Sequence, residues 1–169
     1  TALWAGQAGS LLFWSFITSL FTVIYIFETL KKMENLKFNS YLILTFIFSF
    51  FIILSSFIAN PFEPVSSDIV VQNGNGLNPL LQNFFMAIHP PILYVGFTGC
   101  TIIFVMAMAA SISKNVSFDW VRSIRRWSLI VWTFLSAGII LGGYWAYNEL
   151  GWGGYWAWDP VETASLLPW

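Results

Sequence analysis

Charged residues are scarce in this sequence: they make up 9% of its 169 residues, whereas a soluble domain carries about 25%. Seven Lys and Arg stand against eight Asp and Glu, so no polybasic surface is available to bind nucleic acid. The single cysteine, Cys100, excludes an internal disulfide and a zinc site built on several thiolates. Apolar residues are plentiful, at 57% with 10 Trp and 17 Phe. The composition excludes a disordered chain and an ordinary soluble globule, and it indicates a membrane protein rich in aromatics.

Four apolar stretches are long enough, or nearly so, to cross a membrane, which takes about 20 helical residues at ~1.5 Å each. A fifth is expected to open near residue 164 and to be truncated. The predicted fold is all-α integral membrane, with four transmembrane helices and the start of a fifth. Residues 1–169 are predicted to be part of one membrane domain, and the sequence is expected to be a fragment of a longer chain. The predicted spans are 10–28, 40–59, 91–112 and 127–144.

The basic residues predict the orientation of these spans. Every one of them lies between the first and second spans or between the third and fourth, so all lie on one side of the membrane. By the positive-inside rule that side is the cytoplasm. The opposite, outer side then holds the start of the chain, the loop 60–90 and everything after Tyr144. The basic residues are Lys31, Lys32, Lys37, Lys114, Arg122, Arg125 and Arg126.

The outer loop 60–90 leads to the only histidine of the chain, His89. Apolar residues from Leu80 to Ile88 recur at helical spacing, which predicts a short helix lying flat in the membrane interface. Pro91 is a favourable first residue for the third span, so His89 is expected at the outer surface just before a helix begins. Two interpretations are open. His89 is either an interfacial residue that hydrogen-bonds water or backbone, or an axial ligand or proton carrier.

A segment dense in aromatic residues follows the fourth span. Between Gly142 and Trp158 the sequence contains four Trp, three Tyr and five Gly. Trp and Tyr are enriched at membrane interfaces, so one interpretation is an aromatic belt. The alternative is a stacking platform, because glycine lets a flat partner approach the backbone closely and the rings supply stacking faces. Porphyrin is the leading ligand of that size and flatness.

Two carboxylates, Asp159 and Glu162, end this segment. Asp-Pro-Val-Glu is typical of a helix start, with Asp159 as N-cap, Pro160 in the first position and Glu162 reaching back as in a capping box. Both carboxylates are then architectural. Acid chemistry by the pair is the less favoured alternative.

Several stretches resemble the haem-handling proteins of cytochrome c biogenesis. Residues 152–162, WGGYWAWDPVE, closely resemble the tryptophan-rich WWD signature of that superfamily. The continuation at 163–169, TASLLPW, looks like its CcmF-type branch, as do LNPLLQ at 77–82 and IHPPILY at 88–94. Residues 4–14, WAGQAGSLLFW, resemble the first outer loop of that family. The resemblance covers essentially the whole chain in the right order.

This resemblance implies a cytochrome c haem lyase, which joins the vinyl groups of haem to the two thiols of a Cys-x-x-Cys-His site in apocytochrome c. It implies that the WWD segment, 145–163, cradles the haem on the outer face and that His89 is one axial ligand of its iron. A second axial histidine, and the ligands of a structural b-type haem, would lie downstream of Trp169. The residues expected to bind haem are His89, Trp145, Trp152, Tyr155, Trp156, Trp158 and Asp159.

The same resemblance implies the surroundings of the protein. Its expected partners are the haem chaperone of the cytochrome c maturation system, apocytochrome c with its thiol-handling subunits, and the membrane. Its expected location is the bacterial cytoplasmic membrane, or the mitochondrial inner membrane, with the WWD segment outside. Two other functions are open: a haem transporter or chaperone-loading protein without ligation activity, and a scaffold whose tryptophans form only a belt.

The sequence departs from the usual family pattern at a few positions. Tyr155, Ala157 and Thr163 stand where Trp, Phe and Asn are the common residues, and Ala8 stands where an acidic residue is frequent. Tyr155 keeps a stacking face, whereas Ala157 loses a ring. Any polar contact that an Asn would make at position 163 is put in doubt.

Overall fold

A computed structural model describes residues 2–63 and 76–169, and every described element in it is helical. Four of the helical segments are long and apolar enough to cross a membrane: Gln7–Lys32, Glu34–Ile58, Phe84–Ser113 and Phe118–Glu149. The predicted fold, all-α with four membrane-spanning helices, is confirmed. The α-helices are α1 (Ala2–Ala5), α2 (Gln7–Ile24), α3 (Lys37–Ile53), α4 (Phe84–Ser113), α5 (Phe118–Glu149) and α6 (Pro160–Leu166).

Helices α4 and α5 form an antiparallel pair held close by small residues. A Cβ atom on Gly96 would lie 2.7 Å from Cγ of Leu135, and one on Gly138 would lie 2.9 Å from Cα of Leu93. Only glycine leaves room for this approach, as is usual where membrane helices pack backbone to backbone. Gly99 is likewise buried against Val131 of α5. Packing of helices is therefore the role of these glycines.

The two groups of basic residues lie at the same end of the helical bundle. Asn39 donates a hydrogen bond from Nδ2 to Oγ of Ser113 (2.7 Å), which joins the start of α3 to the end of α4. Trp127, near the start of α5, donates from Nε1 to Oγ1 of Thr29 (3.1 Å) beyond the end of α2. Since a helix rises about 1.5 Å per residue, His89 lies roughly 35 Å from Ser113 along α4. The basic residues and His89 are therefore at opposite ends.

The third span begins earlier than predicted, and the separate interfacial helix is not observed. Asn83 caps α4, because its Oδ1 accepts the N–H of Phe85 (2.7 Å), so the helix begins at Phe84 and passes through Pro90 and Pro91. The residues predicted to lie flat are divided between a 3₁₀ turn, Pro79–Leu81, and the first turns of α4. Residues 64–75 of the outer loop lie outside the described residues.

Helix α5 exceeds its predicted bounds at both ends. Ser117 caps it by accepting the N–H of Trp120 (3.2 Å), so three of the basic residues lie on its first turns instead of in a loop. It continues to Glu149 and so includes Trp145, which the predicted bounds place in the WWD segment. The last helix begins at Pro160, where Asp159 caps it, and not near residue 164.

Candidate functional site

His89 lies on the second turn of α4 with its imidazole directly against the backbone of α5. A Cβ atom added to Gly142 would lie 2.9 Å from Nδ1 of His89 and 3.0 Å from its Cε1. Such distances are shorter than side chains tolerate, so glycine is required at position 142 for the ring to occupy this place. The close packing of α4 and α5 therefore extends to the imidazole itself.

Trp145 follows Gly142 by three residues and lies on the same face of α5. Its ring system is nearly parallel to the imidazole of His89, at 17° with centroids 6.0 Å apart. Its indole N–H donates to the carbonyl of Leu80 (3.1 Å), in the turn that precedes α4. Trp145 therefore contacts His89, the residue predicted to bind the haem iron. Its hydrogen bond to Leu80 fixes the indole to the turn just before α4.

The Nδ1 atom of His89 is buried, and no described residue meets the geometry of a hydrogen bond to it. The carbonyl of Gly138 lies near the imidazole but does not satisfy that geometry. Since the Nδ1 edge faces α5, Nε2 is the nitrogen left for a ligand. In this structure the Nδ1 edge is packed against α5 at Gly142, with the carbonyl of Gly138 close by.

Two cavities meet at His89, and the imidazole forms part of the wall of each. The first, about 350 Å³, lies between α4, α5 and the aromatic segment. The second, about 550 Å³, lies between the start of the chain, α4 and α6, and its walls include Trp4, Trp14 and Tyr94. Both volumes are within the range of small-molecule sites, about 300–1,000 Å³. His89, Met86, Leu93 and Val161 are common to the two walls.

The aromatic segment folds back onto the end of α5. Gly151 and Gly153 have φ of 68° and 73°, in the left-handed region that favours glycine, and they reverse the chain. A Cβ atom on Gly143 would lie 2.9 Å from the carbonyl oxygen of Tyr155. Tyr155 stacks on Tyr147 of α5 with centroids 4.5 Å apart and a 9° angle. Because they carry no side chains, the adjacent glycines 142 and 143 allow His89 and the aromatic segment to pack directly against α5.

The predicted haem-binding residues do not all line one cavity. Tyr155 lies on Tyr147 outside both cavities, and its side chain is 55% exposed. Trp158 is 70% exposed and lines a separate groove with Trp132 and Trp169. The ring of Trp156 contacts the ring of Trp158 edge to face, with centroids 5.5 Å apart. The residues that share the 350 Å³ cavity are His89, Trp145, Trp152, Trp156 and Asp159.

The carboxylates of Asp159 and Glu162 cap the short last helix. Asp159 accepts the N–H of Glu162 on Oδ1 (2.6 Å), as the helix-start pattern predicts. Glu162 reaches back further than a capping box does: its Oε2 accepts the N–H groups of Ala157 (2.7 Å) and Trp158 (3.2 Å). Trp158 has φ of 57°, an uncommon left-handed conformation for a residue with a side chain. The carboxylate of Glu162 therefore holds the strained part of the aromatic segment.

Four residues that shape this site, Gly142, Gly143, Leu80 and Asn83, are not identified from the sequence. Gly142 and Gly143 were counted with the aromatic segment, although Gly138 and Gly142 have the four-residue spacing typical of packed membrane helices. Leu80 holds Trp145 through its carbonyl, which no side-chain pattern reveals. Asn83 donates from Nδ2 to Oε1 of Glu149 (2.6 Å), joining the outer ends of α4 and α5.

Comparison with known proteins gives a consistent result. Residues 4–169 match the family described as cytochrome C assembly protein. The chain is 44% identical over 174 residues to the cytochrome c-type biogenesis protein CycK of Rhizobium meliloti, covering 100% of this chain and 25% of that protein. It is 42% identical over 168 residues to NrfE of Haemophilus influenzae, covering 99% and 26%. With CcmF of Pseudomonas aeruginosa the identity is 38% over 169 residues, covering 100% and 26%.

Cytochrome c-type biogenesis proteins thus match this helical membrane bundle, including its aromatic end, along its whole length. The chain belongs to the cytochrome c assembly protein family. It spans about a quarter of the length of the curated relatives it matches. No solved structure matches it significantly.

Proposed function

We propose that this chain binds haem at its outer end and takes part in the covalent attachment of that haem to the Cys-x-x-Cys-His site of apocytochrome c. The observation that carries the proposal is the place of His89, the only histidine, where two aromatic-walled cavities meet. Its Nδ1 edge is covered by α5, which leaves Nε2 for an axial bond. Family membership in cytochrome c assembly supports haem as the ligand.

The residues of the site fit a porphyrin better than a bare metal ion. A bare ion needs about three or four protein ligands, and the described residues contain no group of three His, Cys, Asp or Glu close enough to provide them. Haem iron already has four porphyrin nitrogens, so one or two histidines complete it. The walls near His89 carry indole and phenol faces, which stack on a planar macrocycle.

The work of this chain in the reaction is positioning. Haem supplies vinyl groups, across which the cysteine thiols of apocytochrome c add. His89 would hold the iron, Trp152 and Trp156 would contact the macrocycle, and Glu162 would keep the aromatic segment in place. Cys100 lies inside α4, about 16 Å along the helix from His89, so it is remote from the reaction. Holding two reactants in register is itself a large part of many rate enhancements.

The test of haem attachment measures the covalent haem on c-type cytochromes in a strain that lacks the gene for this protein. We expect the full-length protein to restore haem that survives denaturing electrophoresis. Restored haem transfer to the haem chaperone with no covalent haem would instead indicate the alternative, a haem transporter or chaperone-loading protein without ligation activity.

We further propose that the basic end faces the cytoplasm and the His89 end faces outward, in the bacterial cytoplasmic membrane or the equivalent mitochondrial membrane. The outer end would then meet the haem chaperone, apocytochrome c and the thiol-handling subunits. In a background without other cysteines, Asn148→Cys should react with a membrane-impermeant maleimide added to intact spheroplasts, and Asp119→Cys should react only after lysis. Both side chains are exposed at opposite ends of α5, so the reverse result would invert the topology.

A further inference from the structure

No described residue meets the full geometry of a hydrogen bond to Nδ1 of His89, although the carbonyl of Gly138 lies beside the ring. Histidines that bind metals normally depend on such a bond to fix the tautomer and the ring plane. A ligand that lacks it needs another restraint, because free rotation of the ring would spread Nε2 over many directions. The contacts around the ring must supply that restraint.

Helix α5 makes two such contacts from one face. Gly142 borders the Nδ1 and Cε1 edge of the ring so closely that a Cβ atom there would lie within 2.9–3.0 Å. Trp145 lies alongside the ring in an offset stack, with its indole at 17° to the imidazole and the ring centroids 6.0 Å apart. The indole is itself fixed by its hydrogen bond to the carbonyl of Leu80 (3.1 Å). The imidazole is thus restrained at its Nδ1 edge by Gly142 and on one side by the offset indole.

We infer that Trp145 and Gly142 position the His89 ring, and that Trp145 is a positioning residue instead of a member of the haem platform. The inference rests on the proposed function, because the oriented Nε2 of His89 would bind the haem iron. The orientation itself is a property of the haem-free protein. It can therefore be measured without haem.

The first measurement follows the reaction of His89 with diethyl pyrocarbonate in the haem-free, detergent-purified full-length protein, with mass spectrometry of the peptide that contains it. Trp145→Ala should raise the rate by about two- to tenfold, the range expected when one aromatic contact is lost. Trp145→Phe keeps a ring face but loses the hydrogen bond to the Leu80 carbonyl, so its rate should lie between those of wild type and Trp145→Ala. Trp132→Ala is the matched control, since it removes a half-exposed indole from the same helix far from His89.

A pair of glycine variants separates ring positioning from helix packing. Gly142→Ala and Gly96→Ala introduce a Cβ atom 2.9 Å and 2.7 Å, respectively, from the facing helix, but only the first meets the His89 ring. Gly142→Ala should change the electron paramagnetic resonance g-values of the haem-loaded protein, which depend on the orientation of the axial imidazole. Gly96→Ala, about two turns further along α4 from His89, should leave them unchanged, even if it lowers thermal stability.

The outcomes distinguish this inference from the proposed function. An unchanged labelling rate in Trp145→Ala, with weakened haem binding, would overturn the inference and return Trp145 to the platform. Equal g-value changes in the two glycine variants would overturn it as well. If labelling responds as expected but no variant, wild type included, binds haem, then positioning stands and the haem function fails.

Discussion

His89→Ala should lower the yield of covalent haem on c-type cytochromes by at least about tenfold. Loss of a residue that merely supports a metal ligand costs about 10- to 100-fold, and loss of the ligand itself should cost no less. The readout is haem peroxidase activity after denaturing electrophoresis, normalised to the amount of the variant in the membrane. His89 is the only histidine within residues 1–169.

Leu93→Ala is the matched control for this variant. Leu93 lies one turn further along α4 and lines the same two cavities as His89, but it has no atom that binds iron. We expect its yield to stay within about threefold of wild type once protein levels are normalised, although large-to-small changes lower stability. Equal losses in the two variants would show that only the shape of the wall matters and would refute axial ligation.

Glu162→Ala should produce the next largest loss, of about tenfold in covalent haem. Two N–H groups, those of Ala157 and Trp158, would lose their acceptor, and a hydrogen bond to a charged group is worth ~1.5–3 kcal/mol before allowance for exposure. Trp158 has no other described partner that holds its left-handed backbone. Hydrogen exchange should show faster exchange of both amides.

Glu162→Gln separates the two roles left open for this carboxylate. The amide oxygen of Gln can still accept from both N–H groups but cannot act as an acid, so a positioning role predicts a yield within about threefold of wild type. A role in acid chemistry predicts that Gln is as damaging as Ala. Asp159→Ser keeps an N-cap acceptor and should likewise be tolerated.

The helical fold was predictable because membrane spans and their basic ends depend on local composition. Helix ends were not predicted well, for reasons that lie in the caps. Asn83 begins α4 before two prolines, and a helix supported by its neighbours tolerates them. Ser117 begins α5 before its charged turns, which hydrophobicity alone assigned to a loop.

The site was only partly predictable, because its residues meet through packing between distant segments. Aromatic density indicated a platform, yet it gave no way to tell Trp152, which lines the cavity, from Trp158, which does not. The role of Gly142 depends on the distance between α4 and α5. The helix cap at Asp159 depends on a local sequence pattern, and its prediction is confirmed.

The visible spectrum of the full-length protein, purified in detergent and compared with His89→Gly, tests the central claim most directly. Wild type should hold a low-spin haem at the outer site, and His89→Gly should lose it. Added imidazole should restore the low-spin spectrum, because it can occupy the space left beside Gly142. An unchanged spectrum in His89→Gly would contradict the account, since the iron would then be held by other residues.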